Sequence, residues 1–289
     1  MRLRFIEEQI FRALMLLSLG AVVGGLLLIV GVIAYKGIGA LSWEMVSKLP
    51  SGGYFVGKGG GLLNAIGGSL LLGVGATAVA GVLAVPVALY LQRDYAGGRR
   101  RAGLVRMSLN LLWGVPSIVY GAVGFMLMLY LGARTPALGR ASLLWGIVCL
   151  TLVELPIMAR AMEEVLRMVS VELREAAYSV GATRWETMRS VVLRQALPGL
   201  FTAVLLAFGR GIGDAASVLF TAGYADRLPG SLMDPVASLP LAVFFQLSMP
   251  FPQVQKRAYA AAFLLLAIVL LTSVVSRILS ARAGRFTVK

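Results

Sequence analysis

Two opposite charges stand inside an apolar stretch, Arg210 and Asp214 in FTAVLLAFGRGIGDAASVLF. Arg210 follows Pro198 by twelve residues, so a continuous helix carries it roughly 18 Å from that turn, near the middle of a bilayer. A guanidinium at that depth costs roughly 3 kcal/mol on insertion scales, so it faces a bundle interior, a partner or a water-filled cavity. Side chains four apart on a helix meet, and these two would neutralise each other. Two chemistries follow. In one, the pair is a structural ion link that fixes helix packing. In the other, the planar fork of Arg210 grips a passing tetrahedral oxyanion. Asp214 then satisfies the arginine in the empty site and weakens binding enough for release. Arg160, at the end of another apolar run, is a second pathway candidate, set against the tendency of helix-end arginines to snorkel to the interface. Glu154, six residues before it, is an acid in an apolar run, and the expected partner is a basic residue of a neighbouring helix or subunit.

Other chemistry is excluded by composition. With no histidine and one cysteine, Cys149, the chain cannot by itself build an internal disulfide, a histidine metal site, a Ser-His-Asp triad or a Cys-His pair. Cys149 reads as a packing residue. Gly52 to Lys58 satisfies the start of a phosphate-cradling loop, G-x-x-x-x-G-K, but Gly59 stands where a Ser or Thr should hold magnesium, and no strand precedes it. Nucleotide chemistry therefore has to come from a partner.

The elements that must position these residues are membrane helices. Of the 289 residues, 58% are hydrophobic, above the roughly 45 to 50% of soluble domains. They come in runs of about 20 residues or more, the length that crosses about 30 Å of hydrocarbon. The runs place six crossings at about 13–34, 62–92, 104–131, 141–160, 198–222 and 258–280. The first is preceded by Arg2, Arg4 and Arg12 but followed by no small-residue cleavage site, which makes it a retained helix. The net charge of +14 is explained by location. With the N-terminus in the cytoplasm, 18 of the 27 basic residues fall on the inner side and 8 on the outer, and the remaining one is Arg210. This is the positive-inside bias of an even number of crossings, with both termini cytoplasmic. The chain lacks a basic soluble domain with aromatic platforms, which argues against nucleic acid. Small residues crowd the second and third runs and allow close helix approach in lipid. Pro86, Pro116 and Pro156 are candidate kinks.

The longest polar stretch, 160–194, is nearly charge-balanced and reads as helix, tight turn at Gly181, then helix. Within it Glu175-Ala176-Ala177, then Gly181, then Val191 and Leu193 resembles the EAA loop of ATP-binding-cassette importer permeases. Arg194 stands where that family usually has proline. NAIGGSLLL, GVPSIVYG, LPIMARAMEEVLRMV, ALPGL, GRGIGDAASVLFTAG and LPLAVFFQLSMP are similar, in order and spacing, to the phosphate-specific branch, whose two permease types are PstA and PstC. Length and outer loop favour the PstA type, with PstC left open.

The resemblance implies an all-α polytopic protein of the type I importer permease fold. Residues 1–61 would hold the first helix and an external loop, 62–280 the permease core with a coupling hairpin at about 168–195, and 281–289 a basic cytoplasmic tail. It implies a non-enzymatic subunit that binds no cofactor or metal and moves phosphate across the cytoplasmic membrane. Glu175, Ala176, Ala177 and Gly181 would seat in a partner ATPase, which uses ATP and Mg. The implied partners are a second, PstC-like permease, two PstB-like ATPase subunits, an external PstS-like phosphate-binding protein and membrane lipid. In that branch an arginine followed by a glutamate matches Arg210 and Asp214, and a further arginine matches Arg160. Permeases for sulfate, molybdate or phosphonate are the nearest alternatives. A transporter or channel working without an ATPase and a membrane enzyme are more distant ones.

Overall fold

The computed structural model describes residues 2–51, 59–95 and 99–283; the Gly52 to Lys58 motif and the proposed basic tail from 284 on lie outside the described residues. The described chain runs α1 (Arg2–Ala40), α2 (Trp43–Ser47), α3 (Leu63–Tyr90), α4 (Arg99–Gly114), α5 (Ser117–Gly132), a 3-10 turn at Pro136–Leu138, α6 (Leu143–Arg167), α7 (Val171–Ser179) and α8 (Arg184–Glu186). A π-turn at Thr187–Val192 then leads into α9 (Leu193–Ile212), followed by α10 (Leu239–Leu247) and α11 (Pro252–Ala283). Five helical stretches are each long and apolar enough to cross a membrane, and α4 with α5 makes a sixth crossing if the bent pair is counted as one. The protein is an all-α, multi-pass membrane protein.

Helices α3 and α6 form the centre. The row Ala65, Gly68, Ser69, Leu72, Gly73, Ala76, Thr77, Ala80, Ala84 and Ala88 is buried along one face of α3. Its period of three and four residues lets neighbouring backbones come close where lipid supplies no hydrophobic drive. Around the hairpin end, Met158, Met162 and Leu166 of α6 pack with Met188, Val192 and Ala203 of the α9 segment. By contrast, α1 leaves the apolar side chains of its membrane window outside the core, as a lipid-facing helix does. It touches α11 where Gly37 meets Phe263 and Tyr259. Cys149 is fully buried against Gly124.

Two crossings depart from the hydropathy reading. Residues 104–131 read as one span, yet α4 and α5 meet at 94°. Pro116 has no N–H for the carbonyl of Leu112 and keeps Val115 out of helical backbone. The Tyr120 hydroxyl donates to that carbonyl at 2.7 Å instead. Pro86, Pro156 and Pro198 stay inside α3, α6 and α9. The fifth run reads as helix to residue 222, but α9 ends at Ile212, and residues 213–238 are turns and irregular backbone. Apolar composition does not distinguish a membrane helix from an irregular segment buried in protein, which is why the sequence overran.

That segment is closed by hydrogen bonds to the helices around it. The N–H groups of Ser142, Leu143 and Leu144, at the start of α6, donate to the carbonyls of Thr221, Asp234 and Leu232, each at 2.8 Å. The Asn64 amide donates to Ala225 at 2.7 Å, and Leu239 N–H donates to Ser69 Oγ at 2.7 Å. Asp234 Oδ2 accepts from Gly230 and Ser231 at 2.9 and 3.1 Å.

A methyl group at Gly68 would run into the carbonyl of Ala237, whereas Gly20 on α1 has open space around it. Gly68→Val should therefore lower the thermal unfolding temperature of the detergent-purified protein by several degrees or abolish its yield. Gly20→Val should leave the melt unchanged.

Candidate functional site

The polar residues fall in two places, a hairpin at one face and a charged pair where α9 stops. In the hairpin, α7 ends in a Schellman closure. Ala182 N–H donates to Ala177 O at 3.1 Å and Gly181 N–H to Tyr178 O at 3.0 Å. Gly181 sits at φ +87, a conformation that glycine takes without steric cost. Thr183 then starts the next helix through a reciprocal capping box with Glu186. From Arg184 the backbone stays helical, through the π-turn, to Ile212, so the second arm of the hairpin is the base of the fifth crossing. Glu175, Ala176 and Gly181 are exposed and Ala177 is half-buried. Val180, Trp185 and Met168 are also exposed, 85%, 55% and 78%.

Sequence reasoning missed what holds the hairpin down. Asp94, just past α3, accepts from Arg174 at 2.5 Å and from the Tyr178 hydroxyl at 3.0 Å. Its carbonyl accepts from Arg184 at 3.1 Å. Arg174 also donates to Leu166 O at 2.9 Å and is buried. Burial, and after it the carboxylate of Asp94, push the Tyr178 phenol above its usual range. The signal available was an acid directly after an apolar run, in a region otherwise rich in arginine. A single sequence does not say which arginine it meets.

Arg160 points to a neighbour as well. It donates to Glu163 Oε2 at 2.5 Å, and Arg106 of α4 donates to the other oxygen at 2.6 Å. A second nitrogen of Arg106 donates to Leu91 O at 3.0 Å. Glu163 is therefore a buried clasp between α4 and α6, and Arg160 is half of its cationic cover, about one third exposed.

At the other place, Arg210 Nη1 lies 3.5 Å from Asp214 Oδ1. The contact forms although Asp214 follows the end of α9 and does not continue it as a further helical turn. Asp214 is buried, and its Oδ2 accepts from Ser217 N–H at 2.9 Å. Arg210 is 51% exposed. The pair is thus loose on the arginine side and fixed on the aspartate side.

Glu154 corrects an expectation. Its partner is not basic. Oε2 accepts from the Thr77 hydroxyl of α3 at 2.8 Å, and Oε1 lies against Gly211 with no hydrogen-bond partner among the described residues. A side chain at position 211 would displace it, so the glycine beside Arg210 is required by this contact.

Residues 80–285 match the family described as the binding-protein-dependent transport system inner membrane component. This chain belongs to that family. It is 30% identical over 279 residues to the phosphate transport system permease protein PstA of Yersinia pestis, covering 96% of this chain and 92% of that one. It is 32% identical over 227 residues to PstA 2 of Mycobacterium tuberculosis, covering 78% and 73%. Its fold is similar to the inward-facing MetNI methionine transporter, with a TM-score of 0.59 at 21% identity over 76% of this chain and 95% of that one. An amino acid ABC transporter aligns with a TM-score of 0.54 at 19% identity, covering 78% and 94%. The permease is therefore a membrane-embedded transport component with the type I importer fold.

Asp94→Ala should strand Arg174 in a mostly dry setting at a cost of roughly 3 kcal/mol. The expected readout is faster amide hydrogen exchange across 171–186 than in the unaltered permease, with the α3 and α6 cores unchanged.

Proposed function

We propose that this permease is the PstA-type half of an ATP-driven importer that carries inorganic phosphate across the cytoplasmic membrane. The observation that carries the reading is a half-exposed arginine at the broken end of a membrane helix, loosely held by its aspartate. The near full-length similarity to PstA proteins supports phosphate as the oxyanion.

Glu175, Ala176, Ala177 and Gly181 present a small-residue surface, and Val180 and Trp185 add exposed apolar area on a face that lies outside the bilayer. Such a patch rimmed by charge suits a protein partner. One of two PstB-like ATPase subunits seats there and supplies all ATP and magnesium chemistry. A PstC-like permease completes the path, and a PstS-like protein delivers phosphate from outside. The hairpin face is cytoplasmic, as are both termini, by the distribution of arginines.

In this mechanism ATP binding draws the hairpins of the two permeases together. The unbroken helical backbone from Arg184 to Ile212 carries that movement to Arg210. Arg210 replaces water at the phosphate oxygens through paired charge-assisted hydrogen bonds. Asp214 takes the guanidinium back as the ion leaves. Arg160 serves the path only through its share in the Glu163 clasp.

Ala176→Trp should abolish copurification of the ATPase while membrane insertion stays intact, because the residue is exposed and helical and the change leaves the Gly181 turn alone. Retained ATPase would refute the docking surface. Arg210→Ala should cut radiolabelled phosphate uptake at least about tenfold, the loss of one charge-assisted pair, without loss of assembly. Undiminished phosphate uptake, or uptake of sulfate or molybdate in its place, would overturn the substrate.

A further inference from the structure

Helices α9 and α11 come close at Gly209, where an added Cβ would stand 3.7 Å from Thr272 Oγ1. A cavity of about 430 Å³ opens between them on the hairpin side of that contact, lined by Arg210, Arg277, Ser273 and Ser276 among apolar side chains of both helices. Its walls hold two guanidinium groups and two hydroxyls, and no lining residue is acidic. Arg277 makes no ion pair or hydrogen bond with a described residue, and Arg210 keeps only the 3.5 Å contact to Asp214. Ser273 and Arg277 lie four apart and share one face of α11. Ser273 donates to its own helix at Val269 O, 2.7 Å away, so its hydroxyl can turn to an incoming oxygen.

Two guanidinium groups that share a single carboxylate, held at 3.5 Å by one of them, are costly in one membrane cavity unless water or an anion fills it. We propose that Arg277, with Ser273 and Ser276, forms a second wall that shares a tetrahedral oxyanion with Arg210, which makes this cavity a two-arginine phosphate site. The inference rests on the reading that Arg210 meets the transported anion. It adds a residue outside the apolar run that drew attention to Arg210. Thr272 and Arg277 are five residues apart, about 7.5 Å along the helix. Arg277 therefore stands nearer the hairpin face than Arg210, at the point where an ion released toward that face would pass last. A bidentate arginine on each side suits an ion with four oxygens. A phospholipid headgroup presents the same phosphate chemistry, and the test separates the two sources.

The complete transporter, with its partner subunits, is placed in nanodiscs of zwitterionic lipid alone, and radiolabelled inorganic phosphate binding is measured up to millimolar concentration without the external binding protein. Arg277→Ala and Arg210→Ala should each weaken binding about tenfold or more. Arg277→Lys should recover part of it, and Arg277→Gln, of similar length and polarity, covers the case in which alanine disturbs assembly. Adding phosphatidylglycerol should leave the affinity of the unaltered complex unchanged. Full binding in the Arg277 variants with loss in Arg210→Ala would overturn the second wall and leave the phosphate reading standing. Full binding in all variants, or none in the unaltered complex, would overturn both. Loss of phosphate binding on adding phosphatidylglycerol, abolished by Arg277→Gln, would assign the arginine to lipid headgroups.

Discussion

Where α9 stops at Ile212, its last carbonyls and the amides that follow need partners among the packed helices, and the charged pair depends on how they find them. α9 stops at Ile212, and the irregular stretch 213–238 is held by neighbouring helices instead of by its own ladder. Such backbone is tolerated at membrane depth only when protein encloses it or a cavity is lined by it. Here protein encloses it. Thr221, Leu232 and Asp234 give carbonyls to the start of α6, and Ser69 and Asn64 of α3 reach across to the segment. Asp214 spends one oxygen on the turn and the other on Arg210. The break thus fixes Asp214 beside Arg210, and the cavity between α9 and α11 begins at that arginine.

The break also ties the site to the far end of the same helical backbone. From the capped start at Thr183, through the π-turn at Thr187–Val192, to Ile212 the backbone is continuously helical, and π-turns recur at functional positions in helices. The polar groups around the hairpin limit which parts can move. Asp94 binds α7 and α8 to the end of α3, and Glu163 of α6 binds α4 through Arg106 while Arg160 of its own helix holds its other oxygen. α7 is therefore tied to the end of α3 and, through Arg184, to the base of α9. Glu154, wedged between Thr77 and Gly211, sets the height of the last α9 turn against α3.

Hydropathy found the places of five crossings and of the bent pair α4 and α5, because length and lack of charge are what a bilayer demands. The hairpin was equally legible. Gly181 among helix formers, followed by Thr183 and Glu186, specifies a turn and a new start by local chemistry alone. Arg210 and Asp214 were found because charges are rare in such runs. What stayed hidden depended on three-dimensional neighbours. The apolar residues 215–222 look like helix until the enclosing helices are seen. The 94° bend needs Pro116 and a tyrosine one turn away acting together. Asp94 and Arg277 did not stand out, since nothing in the order of residues says that one meets Arg174 and the other lines a cavity with Arg210. Glu154 was noticed as anomalous but given the wrong kind of partner, because a hydroxyl across a helix contact leaves no trace in the periodicity.

If the broken end of α9 faces water on a phosphate path, thiol reactivity beside Arg210 reports it most directly. Gly209 lines the cavity, and an added Cβ there meets only Thr272 Oγ1 at 3.7 Å, so Gly209→Cys in a Cys149→Ala background should keep Arg210 in place. In the assembled, ATP-free transporter a charged, membrane-impermeant thiol reagent should modify this cysteine, as read by mass spectrometry of this subunit. Millimolar phosphate should slow the reaction several-fold and sulfate should not. Modification by a lipid-soluble reagent alone, with no reaction toward the charged one and no effect of phosphate, would place the end of α9 in dry protein or lipid and contradict the account.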